Sequence, residues 1–272
     1  MLPATLPLLL EPAELEQWLG TEGLLVVAVT RPESYAQQHV PGAVYLDYSK
    51  LVSAQPPVLG LVPSDAQLSQ VFSALGMTGR SHVVAYDDEG GAKAARLLWT
   101  LDVIGHPRYS LLDGGWRAWL AGGHSTSSTA PDITPSDYRV RQRGDAMADK
   151  AYILAHLHDP TVALLDARTP AEYRGTDKRA LRGGHIPGAV NLEWNQALDA
   201  HNAMRLKPLA ELRAQLSALG VTPDKEVITY CQTHHRSSHS YIVLTALGYP
   251  RIKGYPGAWS EWGNSSDAPV EQ

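Results

Sequence analysis

The chain has 272 residues, of which 44% are hydrophobic and 19% charged, and its formal net charge is -5 at pH 7. This length suggests about two domains, and the composition is typical of globular proteins. The negative net charge excludes the broad positive field that binding to nucleic acid or to an anionic membrane would need. No apolar run is long enough to span a membrane. We therefore expect neither nucleic acid nor a membrane as a partner.

Three motifs in the first half of the chain return in the second half. They are HVPGAVYLDY from His39, SALGMT from Ser73 with the strand-like HVVAY after it, and GGWRAW from Gly114. Their second copies are HIPGAVNLEW from His185, SALGVT from Ser217 with EVITY after it, and GAWSEW from Gly257. The offsets, 185 − 39 = 146, 217 − 73 = 144 and 257 − 114 = 143, are nearly constant. This pattern indicates an internal duplication.

A segment rich in Ser, Thr, Gly and Pro separates the two copies. It has no apolar periodicity, which is typical of a linker. We predict an N-terminal domain over residues 1–122, a linker over 123–147 and a C-terminal domain over 148–272.

The second half alternates short β-branched runs with amphipathic stretches. We predict strands over 161–167, 189–194, 226–230 and 251–255, and helices over 208–220 and 237–248, each ending at glycine. Strands that alternate with helices favour a parallel sheet covered on both faces. The predicted fold class is α/β, with two similar tandem domains, each a mainly parallel sheet with helices on both faces.

A basic segment precedes the second HIPGA motif. Tyr173 and His185 are 12 positions apart, whereas their counterparts in the first half are 4 apart, and the extra residues include Arg174, Arg179 and Arg182. These arginines could bind an anion or could belong to a basic surface loop. Just upstream, we interpret Asp166 and Arg168 as a structural ion pair.

The only cysteine, Cys231, directly follows the predicted strand 226–230 and precedes a helix that begins at about Arg236 or Ser237. A loop in this position presents backbone N–H groups and the positive end of a helix dipole, which lower the pKa of a thiol and attract anions. One cysteine cannot form an intramolecular disulfide, so we expect a reducing, cytoplasmic location.

The duplication provides an internal comparison for this site. At the offset of 144, Asp87 aligns with Cys231, and DDEGGAK stands in place of CQTHHRS. A thiol that only filled the core would more naturally have an apolar counterpart. We therefore predict one active domain, the second, and a first domain that Asp87 makes catalytically silent.

The tandem HVPGA and HIPGA motifs, the single thiol after a strand and the terminal GAWSEW resemble the two-domain rhodaneses, a family of sulfurtransferases. The resemblance covers nearly the whole chain, and the loop CQTHHR is most similar to that of the Azotobacter-type thiosulfate sulfurtransferases. It implies that the Cys231 thiolate takes sulfur from thiosulfate or another small donor as a persulfide. Cyanide, a thiol or a protein acceptor then removes that sulfur.

The resemblance also implies roles for residues around the thiol. The active-site loop would comprise Gln232, Thr233, His234, His235 and Arg236 beside the catalytic Cys231, and Arg179, Arg182 and Trp194 would contact the substrate. No metal or organic cofactor is implied, and we expect a monomer because a tandem pair already buries one domain interface.

Four other functions remain open at this point. Mercaptopyruvate enzymes of the family carry Cys-Gly-Ser/Thr-Gly-Val-Thr, whereas Arg236 stands at the last position here, which disfavours that substrate. Related cysteine phosphatases use a Cys-x5-Arg loop, which is one residue longer than the Cys-x4-Arg found here. Cys231, His235 and His239 could belong to a metal site, but no further ligand cluster is evident. A persulfide carrier that docks on a protein partner would share the same first half-reaction.

Overall fold

A computed structural model describes residues 6–272, so residues 1–5 of the predicted first domain lie outside the described part. The strands are β1 Leu9–Leu10, β2 Leu24–Ala28, β3 Val44–Tyr45, β4 Ser53–Gln55, β5 Val58–Leu61, β6 His82–Tyr86, β7 Tyr109–Leu112, β8 Val162–Asp166, β9 Val190–Asn191, β10 Leu198–Asp199, β11 Arg205–Leu206, β12 Glu226–Tyr230 and β13 Ile252–Gly254. The helices are α1 Pro12–Trp18, α2 Pro32–Gln37, α3 Asp65–Ala74, α4 Ala92–Val103, α5 Gly115–Ala121, α6 Lys150–Ala155, α7 Pro170–Tyr173, α8 Leu209–Ala218, α9 Arg236–Ala246 and α10 Ala258–Trp262. Within this described part, no helix combines the length and the apolar character needed to cross a bilayer.

Two sheets confirm the predicted α/β class. One sheet has the strand order β1-β7-β6-β2-β3 and the other has the order β13-β12-β8-β9, and all their pairings are parallel. The order of corresponding strands is the same, which agrees with the duplication. Strand β12 lies between two neighbours, and Val227 and Ile228 within it are fully buried. Continuous apolar runs are typical of parallel strands covered on both faces.

Most of the elements predicted in the second half are present with small shifts at their ends. The strand predicted over 226–230 is β12, and both predicted helices stop just before Gly220 and Gly248, whose φ angles are +73° and +77°. Glycine adopts this left-handed conformation readily, so it ends helices without strain. The strand predicted over 189–194 is much shorter, because the Asn191 side chain donates to the main-chain oxygens of Asp166 and Arg168 and the chain then enters a short 3₁₀ helix.

The chain forms two compact units that are not continuous in sequence. Unit 1 comprises the chain up to Leu51, Pro63–Arg143 and Leu198–Leu206, and unit 2 comprises Val52–Val62, Gly144–Ala197 and Lys207–Gln272. The hairpin β4–β5, from the first half, therefore belongs to unit 2, and the hairpin β10–β11, from the second half, belongs to unit 1. These units differ from the three continuous segments expected from the sequence.

The predicted linker contributes to unit 1 through hydrogen bonds. The Tyr138 N–H donates to Ser73 Oγ at 2.9 Å, the Val140 N–H donates to Ser69 Oγ at 3.0 Å, and both serines lie on α3. Hydroxyl groups thus satisfy the backbone of a segment that has no apolar pattern of its own. This ordering by side-chain partners has no periodic signature in the sequence.

Candidate active site

Cys231 lies at the carboxyl end of β12, and α9 begins five residues later at Arg236, as the sequence predicts. The start of the loop between them is fixed by α10. The Trp259 N–H donates to the Cys231 carbonyl at 2.9 Å, and the Ser260 N–H donates to the Gln232 carbonyl at 3.0 Å. The loop therefore has a rigid entry from a central strand and a rigid exit into a helix.

Hairpin β4–β5 packs against the same loop within unit 2. A Cβ atom at Gly60 would lie 2.2 Å from the Thr233 carbonyl oxygen, so only glycine allows this approach. The neighbouring Leu59 N–H donates to Ser260 Oγ at 3.2 Å. The hairpin thus supports the loop from a distant part of the sequence.

Cys231 is 1% exposed, and four interactions lower the pKa of its thiol. They are the positive charge of Arg236 and hydrogen bonds from the Ser237 hydroxyl, the Ser237 N–H group and the Thr233 N–H group. Burial raises the pKa of the Cys231 thiol, but the charge of Arg236 and these hydrogen bonds outweigh burial, so the net pKa lies below its usual value. The site therefore favours a thiolate, which is the nucleophilic form.

A buried carboxylate holds Arg236. Glu172 is fully buried, and its two oxygens accept hydrogen bonds from Arg236 Nη1 at 2.7 Å and Nη2 at 2.8 Å. Burial alone raises the pKa of Glu172, but the hydrogen bonds and charge of Arg236, with smaller contributions from Thr169 and Arg179, lower it to about 2. This bidentate pair fixes the plane of the guanidinium beside the thiol.

Glu172 is a functional residue that sequence reasoning missed. It lies on the short helix α7 and forms a capping box with Thr169, which the Thr-x-x-Glu spacing could have revealed. Its second role is invisible in the sequence, because Arg236 is 64 residues further along the chain.

The remaining loop residues have distinct environments. His234 is fully buried, whereas the Gln232 amide donates to the Arg179 carbonyl at 3.2 Å and links the loop to the basic segment. His235 is the N-cap residue of α9, and Thr233 supplies its N–H group to the thiol. All five predicted loop residues therefore lie around Cys231, but only some face it with a side chain.

The predicted substrate residues do not share one environment. The Arg179 side chain is 53% exposed, and its Nε lies 3.6 Å from Glu172 Oε1, so it borders the loop. The Arg182 guanidinium donates to the carbonyls of Trp262 and Ala268 at 2.8 and 2.6 Å and also to that of Ser265. The contact of Arg182 with substrate stays a prediction.

Trp194 lies against His239, a buried residue of α9. Their ring centroids are 5.4 Å apart with the planes nearly perpendicular. Burial lowers the pKa of His239 to about 4, and neither of its ring nitrogens has a hydrogen-bond partner among the described residues. In residues 6–272, no group of three or more His, Cys, Asp or Glu side chains is arranged to hold a metal ion.

The Asp166–Arg168 pair agrees with the structural role expected from the sequence. Arg168 Nη2 lies 2.6 Å from Asp166 Oδ2, and both side chains are buried. The same nitrogen donates to the Gly184 carbonyl at 2.7 Å, and the guanidinium stacks 4.4 Å from the Trp259 ring centroid. The pair thus joins β8 to the basic segment and to α10.

The counterpart loop in unit 1 holds a carboxyl group in place of the thiol. Asp87 is 1% exposed, and its oxygens accept N–H bonds from Glu89, Gly91, Lys93 and Ala94 at 2.8 to 3.0 Å. Burial raises the pKa of Asp87, and these four N–H donors oppose that effect. The Trp116 N–H donates to the Asp87 carbonyl as Trp259 does to Cys231. Both units therefore build the same amide cradle.

Comparison with known proteins agrees with this geometry. A family model described as the rhodanese-like domain matches residues 11–122 and 149–265. The chain belongs to the rhodanese family. This confirms both the resemblance and the tandem arrangement drawn from the sequence motifs.

Curated rhodanese relatives match nearly the whole chain. A thiosulfate sulfurtransferase of Azotobacter vinelandii is 45% identical, and the match covers 98% of each chain. A thiosulfate sulfurtransferase of Pseudomonas aeruginosa is 44% identical over 98% of this chain and 97% of its own length. A sulfur carrier protein, TtuD of Thermus thermophilus, is 35% identical over 87% of this chain and 86% of its own length. This rhodanese is a sulfur-transferring enzyme.

Solved structures share the fold at lower identity. YnjE matches with a TM-score of 0.88 and 23% identity, covering 97% of this chain and 68% of its own. A complex of EanB with ergothioneine matches with a TM-score of 0.84 and 24% identity over 92% of this chain, which spans 65% of the EanB chain. At this identity the likeness concerns the fold alone.

Proposed function

We propose that this rhodanese is a thiosulfate sulfurtransferase that works through a persulfide on Cys231. The observation that carries the proposal is the position of Cys231: it is buried between the end of β12 and the start of α9, near Arg236, which Glu172 holds in place. Two backbone N–H groups, a hydroxyl and the charge of Arg236 lower the pKa of its thiol. The same cradle in unit 1 accommodates a carboxyl group with four N–H bonds. A site built for one negative charge suits a thiolate and equally a persulfide.

The chemistry needs only the thiolate and a small donor. The Cys231 thiolate attacks the outer sulfur of thiosulfate, the sulfur–sulfur bond of thiosulfate breaks, and sulfite leaves with the bonding electron pair. The enzyme keeps one sulfur as a persulfide anion. Cyanide or a thiolate then attacks that outer sulfur, and the electron pair of the enzyme's sulfur–sulfur bond returns to Cys231.

Arg179 is the best-placed cation for receiving an anionic donor. Its side chain is half exposed and pairs with Asp177 near the surface, whereas the Arg182 guanidinium is engaged by main-chain carbonyls. We therefore assign Arg179 the first contact with thiosulfate. The contacts expected of Arg182 and Trp194 remain predictions of the same proposal.

Other parts of the proposal concern partners and surroundings. We propose that the enzyme needs no metal or organic cofactor, acts as a monomer in the cytoplasm, and uses unit 1 as a silent scaffold because Asp87 replaces the thiol. Since Cys231 is only 1% exposed, an acceptor must present a slim nucleophile, such as cyanide, a small thiol or an extended segment of a protein acceptor. Light scattering with size-exclusion chromatography tests the monomer.

Steady-state kinetics test the function directly. We expect thiocyanate to form from thiosulfate and cyanide with ping-pong kinetics, and Cys231→Ser to abolish it. Mercaptopyruvate and an aryl phosphate serve as parallel substrates and should react more slowly or not at all. Absence of thiocyanate with the wild-type enzyme, or phosphate-ester turnover that depends on Cys231, would reject the proposal.

A further inference from the structure

Two buried side chains next to the thiol carry an inference that goes beyond the six-residue loop. Ser237 follows Arg236 in the first turn of α9 and is fully buried. Its N–H group and its hydroxyl are both hydrogen-bond donors that lower the pKa of Cys231. The Ser237 Oγ also lies 2.7 Å from His234 Nδ1. The Ser237 hydroxyl therefore contacts the His234 imidazole and also lowers the pKa of the Cys231 thiol.

The backbone of His234 supports a specific use of its imidazole. Its φ angle is +53°, which is left-handed, and its carbonyl accepts a hydrogen bond from Ser238 Oγ at 2.6 Å. This conformation strains a non-glycine residue, whereas glycine adopts it freely. The backbone conformation alone would favour glycine at this position. The fully buried imidazole must therefore make a contribution that glycine cannot.

Unit 1 shows what the loop looks like without this contribution. At the offset of 144, Gly90 stands in place of His234 and has a φ of +96°, and Lys93 stands in place of Ser237. The Lys93 N–H donates to Asp87 Oδ2 at 2.8 Å, but the Lys93 side chain pairs with Glu89 at the surface. The silent loop thus retains the amide and lacks both the hydroxyl and the imidazole.

We propose that the Ser237 hydroxyl is a catalytic hydrogen-bond donor to the sulfur of Cys231 and that His234 is the residue that positions it. A serine hydroxyl has one proton, so when it donates to sulfur its oxygen accepts from the imidazole. His234 is then the tautomer that carries its proton on Nδ1. A donor fixed in this direction stabilises the thiolate more than the thiol. The inference rests on the proposed sulfurtransferase function, in which that thiolate is the nucleophile.

The chain's single cysteine makes the test specific. The rate of alkylation by iodoacetamide as a function of pH reports the thiolate fraction of Cys231 without any sulfur donor. We expect Ser237→Val to raise the pKa of Cys231 and to lower the thiolate fraction at neutral pH about tenfold. Ser237→Thr, which has nearly the same shape as valine but keeps the hydroxyl, should restore it. Ser240→Ala, a buried serine one turn later on α9, is the control and should leave the profile unchanged.

The positioning role of His234 requires its own variants. Both glycine and asparagine tolerate the left-handed backbone, but only asparagine places a donor near the position of Nδ1. We expect His234→Gly to shift the alkylation profile in the direction of Ser237→Val and His234→Asn to shift it less. The double variant His234→Gly with Ser237→Val should be no worse than Ser237→Val alone, since the imidazole acts through the hydroxyl.

Clear outcomes would overturn the inference. Equal alkylation profiles for Ser237→Val and Ser237→Thr would remove the hydroxyl from the mechanism, and additive effects in the double variant would remove the positioning role of His234. The readout is separate from sulfur transfer. Suppose that thiosulfate leaves no sulfur on the wild-type enzyme while Ser237→Val still shifts the pH profile of alkylation. In that case the proposed function fails, whereas the role of Ser237 and His234 at the thiol stands.

Discussion

The two loops that follow β6 and β12 share a backbone and differ in what the backbone holds. In unit 1 four N–H groups donate to the carboxyl of Asp87, and in unit 2 the corresponding N–H groups of Thr233 and Ser237 lower the pKa of Cys231. The amide cradle is therefore common to both units and does not by itself make a site active. We propose that activity requires the side chains added in unit 2: a thiol, a guanidinium held by Glu172, and a hydroxyl held by His234.

Moving the thiol from the loop of unit 2 to the loop of unit 1 should have the largest effect. The variant with Asp87→Cys and Cys231→Ser keeps one thiol, now in the cradle that lacks arginine, serine and histidine. We expect thiocyanate formation to fall by about a thousandfold or more, because the thiol at position 87 has amides alone to stabilise its charge. Asp87→Cys in a chain that keeps Cys231 is the control, and it should retain most of the activity.

The guanidinium is the next largest difference between the loops. Arg236→Lys keeps a positive charge but cannot form the bidentate pair with Glu172, so the charge is no longer fixed beside the sulfur. We expect the rate of thiocyanate formation to fall about a hundredfold. Arg213→Lys, at an exposed arginine that donates to the Leu247 carbonyl, is the control. Equal losses in both variants would contradict a specific role of Arg236.

The Glu172 carboxylate predicts how the stability of unit 2 depends on pH. Its pKa is about 2 in the fold and near the ordinary value of 4.5 in the unfolded chain. The unfolded chain therefore takes up the proton first, so the contribution of Glu172 is complete above about pH 4.5 and is lost as the pH falls towards 2. The free energy of unfolding, measured in urea across this window, should fall less steeply in Glu172→Gln than in the wild type. Glu22→Gln, at an exposed glutamate, should follow the wild type.

The two arginines of the basic segment should give the smallest and most distinct effects on catalysis. Arg179→Ala is expected to raise KM for thiosulfate about fivefold with little change in kcat, since an exposed charge attracts the donor weakly. Arg182→Ala removes a guanidinium that serves main-chain carbonyls, so it should lower Tm and leave KM nearly unchanged. A larger KM effect for Arg182→Ala would reverse these assignments.

Sequence reasoning succeeded where a local pattern or the duplication supplied a frame. The position of Cys231 between β12 and α9, and the pairing of Asp87 with Cys231, follow from strand and helix spacing together with the constant offset. The offset also identifies Gly90 and Lys93 as the counterparts of His234 and Ser237 once the geometry is known.

The remaining features depend on contacts between distant parts of the chain. The Glu172–Arg236 pair spans 64 residues, and hairpin β4–β5 supports the Cys231 loop although it comes from the other half of the sequence. Arg179 and Arg182 look alike in the sequence, and only the path of the segment exposes one and ties the other to carbonyl oxygens. Neither periodicity nor composition records such contacts.

The most direct test of the account is the intact mass of the enzyme after incubation with thiosulfate. We predict a gain of one sulfur, about 32 Da, in the wild type and no gain in Cys231→Ser. Addition of cyanide should remove the gain and release thiocyanate. A wild-type mass that does not change, or a gain that persists in Cys231→Ser, would contradict the central claim that sulfur passes through Cys231.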